Sequence, residues 1–437
     1  MFSLNARIIV YETVGLIPTP VSYEFDYVKD VQISSSYETL TDTATIIMPK
    51  KVFHNLEEEF NPSQFNTLTN RDRILSIHDF FKLENFIEIF LGYDGDYKPA
   101  FRGYITSVEG DAPVTIMCED AMYACKKIKA VADGSPNLGI DFLNIIAENP
   151  SVNIEAFNPK TFFTERLTAL GFPFRIDALD ENLGSMVIKR GQSICQLFEE
   201  LKKHGIHAYF KMDVLEPVLT ITNNPQRYGI EEIGNFIDRN FIETPIVGKL
   251  VKRLFNEGLQ LLAPALSAID DALGSNQFLG SGRFRFKHNI IDDQLKVVEQ
   301  DVKNTRIRVE KYFKNSNTPI QIEIGDSNGQ LEKTYVLHAQ DEDLPNDPVS
   351  FNTEKTKVEA ELVQYAAFRA LEKRVTGLTG HFTTFGEPFI RPTDRVTLDN
   401  AEDPEKNGTF QVKSVTRSYG LNGYRQKIEL GRKIEIV

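Results

Sequence analysis

Tryptophan is absent from the 437 residues, and there are only 3 cysteines and 7 histidines. An odd, small number of cysteines in so long a chain excludes a disulfide framework. Cys118, Cys125 and Cys195 show no metal-ligand spacing, so each reads as a small buried apolar residue. No run approaches the roughly 18 apolar residues that a membrane-spanning helix needs. The opening MFSLNARIIVYETVG carries no basic stretch ahead of an apolar core and no cleavage site, so a Sec signal is not expected. Basic residues are also in deficit, 49 against 62 acidic ones, for a net charge of −13. Gripping nucleic-acid phosphates needs a basic surface, so that class of function is excluded. What remains is ordinary: 41% hydrophobic and 25% charged residues. The length suits two to four domains of a soluble, intracellularly made protein mixing α and β structure.

Strand signals dominate from about Leu4 to Lys127. Arg7 to Tyr11 is rich in β-branched residues, and Val21, Tyr23, Phe25 and Tyr27 alternate with polar residues on one expected face. Thr41 to Pro49, Asn85 to Tyr93, Phe101 to Val108 and Val114 to Cys118 follow, separated by Gly and Asp turns. Closely spaced strands with few helical signals predict an antiparallel barrel or sandwich. Lys51 to Asn70 lacks periodicity and reads as an excursion from the sheet. The period then changes, with a short amphipathic helix expected over Gly139 to Ala147. The clearest helix follows Gly191: Ser193 with Gln196 fits a capping box, Ile194, Leu197, Phe198 and Leu201 share a face, and Gly205 closes it. Strands over Ser185 to Lys189, Ala208 to Lys211 and Val218 to Thr222 make this a small α/β module.

Pro245 to Gly282 is the odd segment. Val247 to Leu262 and Ala265 to Leu273 read as helices broken at Pro264, and Gly274, Ser275, Gly280, Ser281 and Gly282 as a flexible exit. Such a helical insertion docks either on its own protein or on a neighbour. Leu250, Leu254, Leu261, Leu262, Leu266 and Ile269 are the candidate assembly interface. Strands return over Thr305 to Tyr312, Ile320 to Ile324 and Thr334 to His338. A long helix is predicted over 353–374, ended by Gly377 and Gly380, then strands to Leu430 with a hairpin turn at Gly420 to Gly423.

No catalytic constellation emerges. His204 and His207 straddle the glycine that ends a helix, so they do not share a face as paired metal ligands would. Gly280-Ser-Gly282 lacks the lysine of a phosphate loop. Asp94 and Asp96 flank a turn glycine, Asp341 to Asp343 sit in a polar loop, and Glu119-Asp120 reads as a turn cap. In Arg283-Phe-Arg-Phe-Lys287, period two puts the basic residues on one side of a strand and the phenylalanines on the other. No metal, no cofactor and no enzymatic activity are expected.

Two stretches together resemble the baseplate or tail-tip hub proteins of tailed phages, of the late-control D type, and the hub part of type VI secretion spike proteins. One is Phe101-Arg-Gly-Tyr-Ile-Thr-Ser-Val108 with Val114 to Tyr123. The other is the alanine-bearing long helix, then Gly386-Glu-Pro-Phe-Ile-Arg-Pro392, Val396-Thr-Leu398, Gly408-Thr-Phe-Gln-Val412, Val415 and Tyr424 to Leu430. Lys189 to Leu197 with Gly205 is similar to the hub's middle domain. The Pro245 to Gly282 segment has no counterpart in that pattern.

The resemblance implies a mixed β and α+β fold: two tail-tube-like antiparallel β-barrel domains, a small α/β module and a helical insertion. The corresponding boundaries are 1–130, 131–225, 226–290 and 291–437, the last including the long helix. It implies a homotrimer whose ring of six similar barrels adapts a six-fold tail tube to a three-fold spike or tip and lines the DNA channel. Implied partners are the tail tube protein, a separate spike or tip protein, the tape-measure protein, and baseplate or fibre proteins, with DNA passing without specific binding. Three copies at −13 each would carry −39, which suits a wall past which phosphates slide. Implied location is the tail tip or baseplate of a virion, after synthesis in the host cytoplasm. The alternatives are the hub of a contractile injection or secretion system, or a tail-associated cell-wall hydrolase. The hydrolase would require a Cys/His or Glu/Asp constellation that the sequence does not show.

Overall fold

The computed structural model describes residues 3–49, 51–55, 72–110, 112–130, 151–154, 157–168, 174–180, 183, 186–189, 191–212, 217–223, 281–300, 305–316, 318–325, 330–339, 343–373 and 375–434. Most of these lie in strands, and helices are few. The expectation of a β-rich chain built on antiparallel pairing therefore holds. One large sheet dominates. From one edge to the other its strands run Ile290–Gln300, Val375–Phe385, Gly423–Ile434, Gly408–Gly420, Asp30–Ser36, Thr43–Met48, Val114–Asp120, Asp96–Glu109, Phe86–Tyr93, Leu4–Val14 and Ile17–Phe25. Ser281–Arg285 joins in parallel to Arg395–Asp399, which pairs with Gly408–Gly420.

The seam between the two ends of the chain is the pairing of Gly408–Gly420 with Asp30–Ser36, from Ser414 opposite Ser36 to Tyr419 opposite Val31. Residues nearly four hundred positions apart thus share one ladder. Alternation gives the sheet its buried face. Ala6, Ile8 and Val10 point inward from the first strand, as do Ala44, Ile46 and Met48 from the fourth. They join one apolar cluster with Ile87, Ile89, Leu91, Ile105 and Ile116. The C-terminal strands make a second cluster from Phe284, Phe382, Val396, Phe410, Val415 and Ile428.

Helix Ile194–Lys203 forms where the sequence places it. The Ser193 hydroxyl accepts from the Gln196 backbone N–H at 3.2 Å, and the Gln196 side chain accepts from the Ser193 N–H at 2.9 Å. Such reciprocal capping contributes about 1 kcal/mol. Its face of Ile194, Leu197, Phe198 and Leu201 packs with Phe157, Phe163, Ile188, Leu219 and Ile221. Beside it run a two-stranded sheet, Ser151–Ile154 with Met186–Lys189, and a three-stranded one made by Arg175–Ala178, Pro217–Thr222 and His207–Met212.

The long helix starts earlier than expected, at Pro348, and runs to Lys373. Asp347 caps it by accepting from the Ser350 N–H at 2.8 Å, and proline at the first helical position costs no hydrogen bond. Contrary to expectation, Gly377 and Gly380 do not end it. They lie inside strand Val375–Phe385, both with positive φ, and a Cβ at Gly380 would sit 2.2 Å from the Gln294 carbonyl oxygen. Those glycines serve a close strand pairing, not a helix stop. The helix packs Val358, Leu362, Val363, Ala366, Ala367 and Ala370 on a sheet of Ile320–Gly325, Thr305–Phe313 and Gln330–Ala339.

Other local readings also need correction. Lys51–Asn55 is a strand paired with Asp72–Ser76 in a two-stranded sheet apart from the large one, which agrees with an excursion and corrects only the absence of a strand there. Ser281 and Gly282 begin a strand in place of the expected flexible exit. Val21 is exposed while Phe25 is buried, because among the described residues Ile17–Phe25 has one strand neighbour, Leu4–Val14; Tyr27 is exposed beyond the end of that strand. The expected helix at Gly139 to Ala147 and most of the Pro245 to Gly282 segment lie outside the described residues. Among the described residues no helix is long and apolar enough to cross a membrane.

Candidate functional site

Chemistry-bearing residues converge where the N-terminal strands, the middle module and the C-terminal strands meet. Two loops are stitched together there. The Asp42 N–H donates to Asp120 Oδ2 at 3.0 Å, and the Asp120 N–H donates to the Asp42 carbonyl at 3.0 Å. Asp42 Oδ1 accepts from the Ser36 N–H, and Asp120 Oδ1 accepts from the Met122 N–H, each at 3.0 Å. The turn-cap role read from Glu119-Asp120 is thus what Asp120 performs. Its burial had no signal in the sequence. Removal from water pushes the Asp42 carboxyl up to about 7, against the pull of the Ser36 and Ser35 hydrogen bonds and of Arg417. Burial, then the neighbouring Asp42, pushes Asp120 well up from the ordinary carboxylate range.

Arg417 enters this junction from the seam strand and is 2% exposed. Its guanidinium donates from Nη2 to the Ile390 carbonyl and lies 4.1 Å from the Phe389 ring centroid. Burial, and the nearby charge of Arg391, lower its pKa against the opposing influence of Tyr424. The segment it holds, Gly386 to Asp394, contains the G-x-P pattern. Gln426, fully buried, fastens that segment by donating to the Phe385 and Pro388 carbonyls at 3.1 and 2.8 Å and accepting from the Ile390 N–H at 3.2 Å. A Cβ on Gly386 would fall 2.0 Å from the Tyr424 ring, so only glycine fits. Thr393, buried with φ of 71°, is a backbone outlier beside it. Neither Gln426 nor Arg417 stood out in the sequence, since a lone polar residue in a strand pattern reads as solvent-facing.

A second clasp joins the middle module to the long helix. Tyr365 and Arg369 donate to the carbonyls of His204 and Gly205, the C-terminal end of helix Ile194–Lys203, and Arg369 is 3% exposed. Cations and donors at that pole complete the last turn's free carbonyls. Lys202 Nζ donates to the Glu38 carbonyl at 2.6 Å, tying the same helix end to the N-terminal strands.

The remaining sequence candidates resolve into structural roles. His204 is the C-cap residue of its helix, and no group of metal-ligating residues occurs among the described residues. Asp94 and Gly95, both with positive φ, form the two-residue turn between Tyr93 and Asp96. Arg283 and Arg285 are exposed and both reach Asp399, while Phe284 is buried, as period two requires. Leu250, Leu254, Leu261, Leu262, Leu266 and Ile269 lie outside the described residues.

No protein-family description matches the chain, and no curated protein matches it. Solved structures do. The 43 kDa tail protein of prophage MuSo2 from Shewanella oneidensis is 11% identical, with 98% of each chain covered and a TM-score of 0.49. The tail protein from Neisseria meningitidis MC58 is 11% identical, covering 99% of this chain and 96% of that one, at a TM-score of 0.48. An E. coli component of the type VI secretion system, described as similar to the T4 bacteriophage tail proteins gp27 and gp5, is 8% identical. It covers 93% of this chain and 74% of that one at a TM-score of 0.44. Tail and secretion-spike proteins are what this chain resembles, in sequence pattern and in structure alike.

Proposed function

We propose that the chain is the structural hub of a phage tail tip or baseplate, a homotrimer that adapts a six-fold tube to a three-fold spike or tip and lines the DNA passage. The observation that carries this is the seam. Strands from the two ends of the chain build one continuous sheet, and each side keeps its own apolar cluster. Two barrel-like halves per chain become six in a trimer, the number a six-fold tube docks. The buried clasps at Arg417, Gln426 and Arg369 suit a joint that must hold two halves in fixed relation. A hub of an injection or secretion system would use the same architecture.

The sheet's outer strands suit contacts between copies. Val21 on Ile17–Phe25 is 49% exposed, and Val297 on Ile290–Gln300 is 55% exposed. Each of these strands has a strand neighbour on one side only among the described residues, and such edges favour association. Light scattering on the purified chain is expected to report three copies, and electron microscopy a ring of three. Val21→Glu with Val297→Glu is expected to yield a folded monomer. A wild-type chain that stays monomeric at micromolar concentration would sink the trimer.

For the insertion, the proposal is that Leu250, Leu254, Leu261, Leu262, Leu266 and Ile269 bind a neighbour: another hub copy, the spike or the tape-measure protein. Replacing Lys249 to Gly280 by a Gly/Ser linker is expected to leave a folded chain that no longer assembles. Unchanged assembly would refute the idea, and outright aggregation would place the segment in the protein's own core.

A further inference from the structure

Two neighbouring rows of residues cross the seam on the solvent side of the sheet. Thr416, Ser34 and Thr43 stand opposite one another in the first, and Ser418, Gln32 and Thr45 in the second. They come from three adjacent strands and from both ends of the chain. Ser418, Gln32, Ser34 and Thr43 are exposed and Thr416 and Thr45 half-buried, while Val31, Ile33, Ala44, Ile46 and Val415 point to the opposite, apolar side. None of the residues in the two rows is charged. We infer that this lane of short hydroxyl and amide side chains is the wall of the DNA passage, a neutral surface in place of the repulsive acidic wall that a net charge of −13 implies. The inference rests on the reading of the chain as a hub.

Composition is the first support. Charged residues make up 25% of the chain, yet adjoining solvent-facing positions from strands far apart in sequence agree in having none. Shape is the second. Both ladders across the seam run without a bulge, so short side chains at regular spacing make an even surface. The third is what such a surface offers a partner. Its hydroxyls already bond to water, and exchanging those bonds for protein ones gains little. Serine is depleted from interface cores, and serine and threonine are under-represented among the residues that carry binding energy. A neighbouring copy or a spike therefore finds no anchor here, and the lane stays wet. Duplex DNA finds none either. It carries one negative charge per about 1.7 Å, so lysines or arginines along a wall would hold it through counterion release. Carboxylates would oppose its entry. The lane does neither. Charges return at its margins, with Lys427 opposite Thr416, Arg425 opposite Ser418 and Glu119 opposite Thr43. Of these, Glu119 is paired with Lys126 at 2.6 Å, and Arg425 lies 4.8 Å from the Phe385 ring centroid.

The test places a thiol on the lane of the full chain. Cys118, Cys125 and Cys195 are all buried, so an introduced surface cysteine is the thiol that a maleimide reaches. Ser34→Cys and Ser418→Cys occupy exposed positions on the two sides of the seam, and each small substitution is expected to keep the fold. In electron micrographs of rings labelled with a gold-bearing maleimide, the gold is expected at the centre. A small maleimide is expected to react as fast with the ring as with the Val21→Glu, Val297→Glu monomer, with no loss of rate on assembly. Gold at the rim, or a thiol that assembly shields, overturns the lane and leaves the trimer standing. A chain that forms no ring removes the hub reading, and the lane falls with it.

Discussion

Gly103→Val is expected to abolish soluble expression of the chain. Gly103 stands opposite Asp120 in the ladder of Asp96–Glu109 with Val114–Asp120. A Cβ there would lie 2.0 Å from the Glu119 carbonyl oxygen and 2.8 Å from the Asp120 Cα, both backbone atoms of the neighbouring strand. Neither can swing aside as a side-chain tip would. The strands must separate, and that loses ladder hydrogen bonds and opens the cluster around Ile105, Ile116 and Cys118. Overpacking of this kind costs about 3 kcal/mol or more, a large share of the stability of an ordinary domain. Separation would also pull Asp120 away from Asp42. Gly95→Ala is the control: its φ is +85° and nothing lies within 4 Å of the added methyl. It should cost about 1 kcal/mol and leave the protein soluble. Soluble yield and urea midpoints decide the matter, and equal behaviour of the two variants would contradict the close approach at Gly103.

That glycine shows what was legible in the sequence and what was not. Phe101-Arg-Gly-Tyr and Gly386-Glu-Pro were noticed as pattern, and the structure supplies their reason, a neighbouring strand in one case and the Tyr424 ring in the other. The helix after Gly191 was legible because its signals are local: a cap, a box and a 3.6-residue stripe. The long helix was legible in its body, while its start at Pro348 depends on the Asp347 cap, a contact seen only in the structure. Gly377 and Gly380 were misread for a related reason, since a positive φ serves a helix stop and a crowded strand equally. The seam could not be read at all. Pairing Val31 with Tyr419 depends on contacts across almost the whole chain, and alternation marks a strand without naming its partner. The junction was invisible for the same reason: half-buried Asp42 and buried Asp120, Gln426 and Arg417 are unremarkable singly and take on their roles only in three dimensions.

The carboxyl pair of half-buried Asp42 and buried Asp120 gives the chain a pH dependence of defined sign. Asp42 is held up to about 7, and Asp120 well above its ordinary value, mainly because burial disfavours their charged forms. In the unfolded chain both would release their protons near pH 4. Between that range and about 7 the folded chain therefore binds more protons than the unfolded one, and each rise in pH favours unfolding. The stabilisation is fully present at the acid end of the window and is lost as pH climbs through the folded-state values. One such proton is worth about 1.4 kcal/mol per pH unit across the window, and the Arg417 charge moderates the total. Surface carboxylates of a chain carrying −13 add their own pH dependence, so the informative quantity is the difference between two proteins. Asp42→Asn preserves an oxygen to accept from the Ser36 N–H but cannot titrate. Wild-type urea midpoints measured at constant chloride are expected to fall from pH 5 to pH 8 by more than those of Asp42→Asn. A smaller fall in the variant supports the protonated pair. A fall equal to or larger than that of the wild type would show that Asp42 is charged throughout and serves Arg417 as its counter-ion.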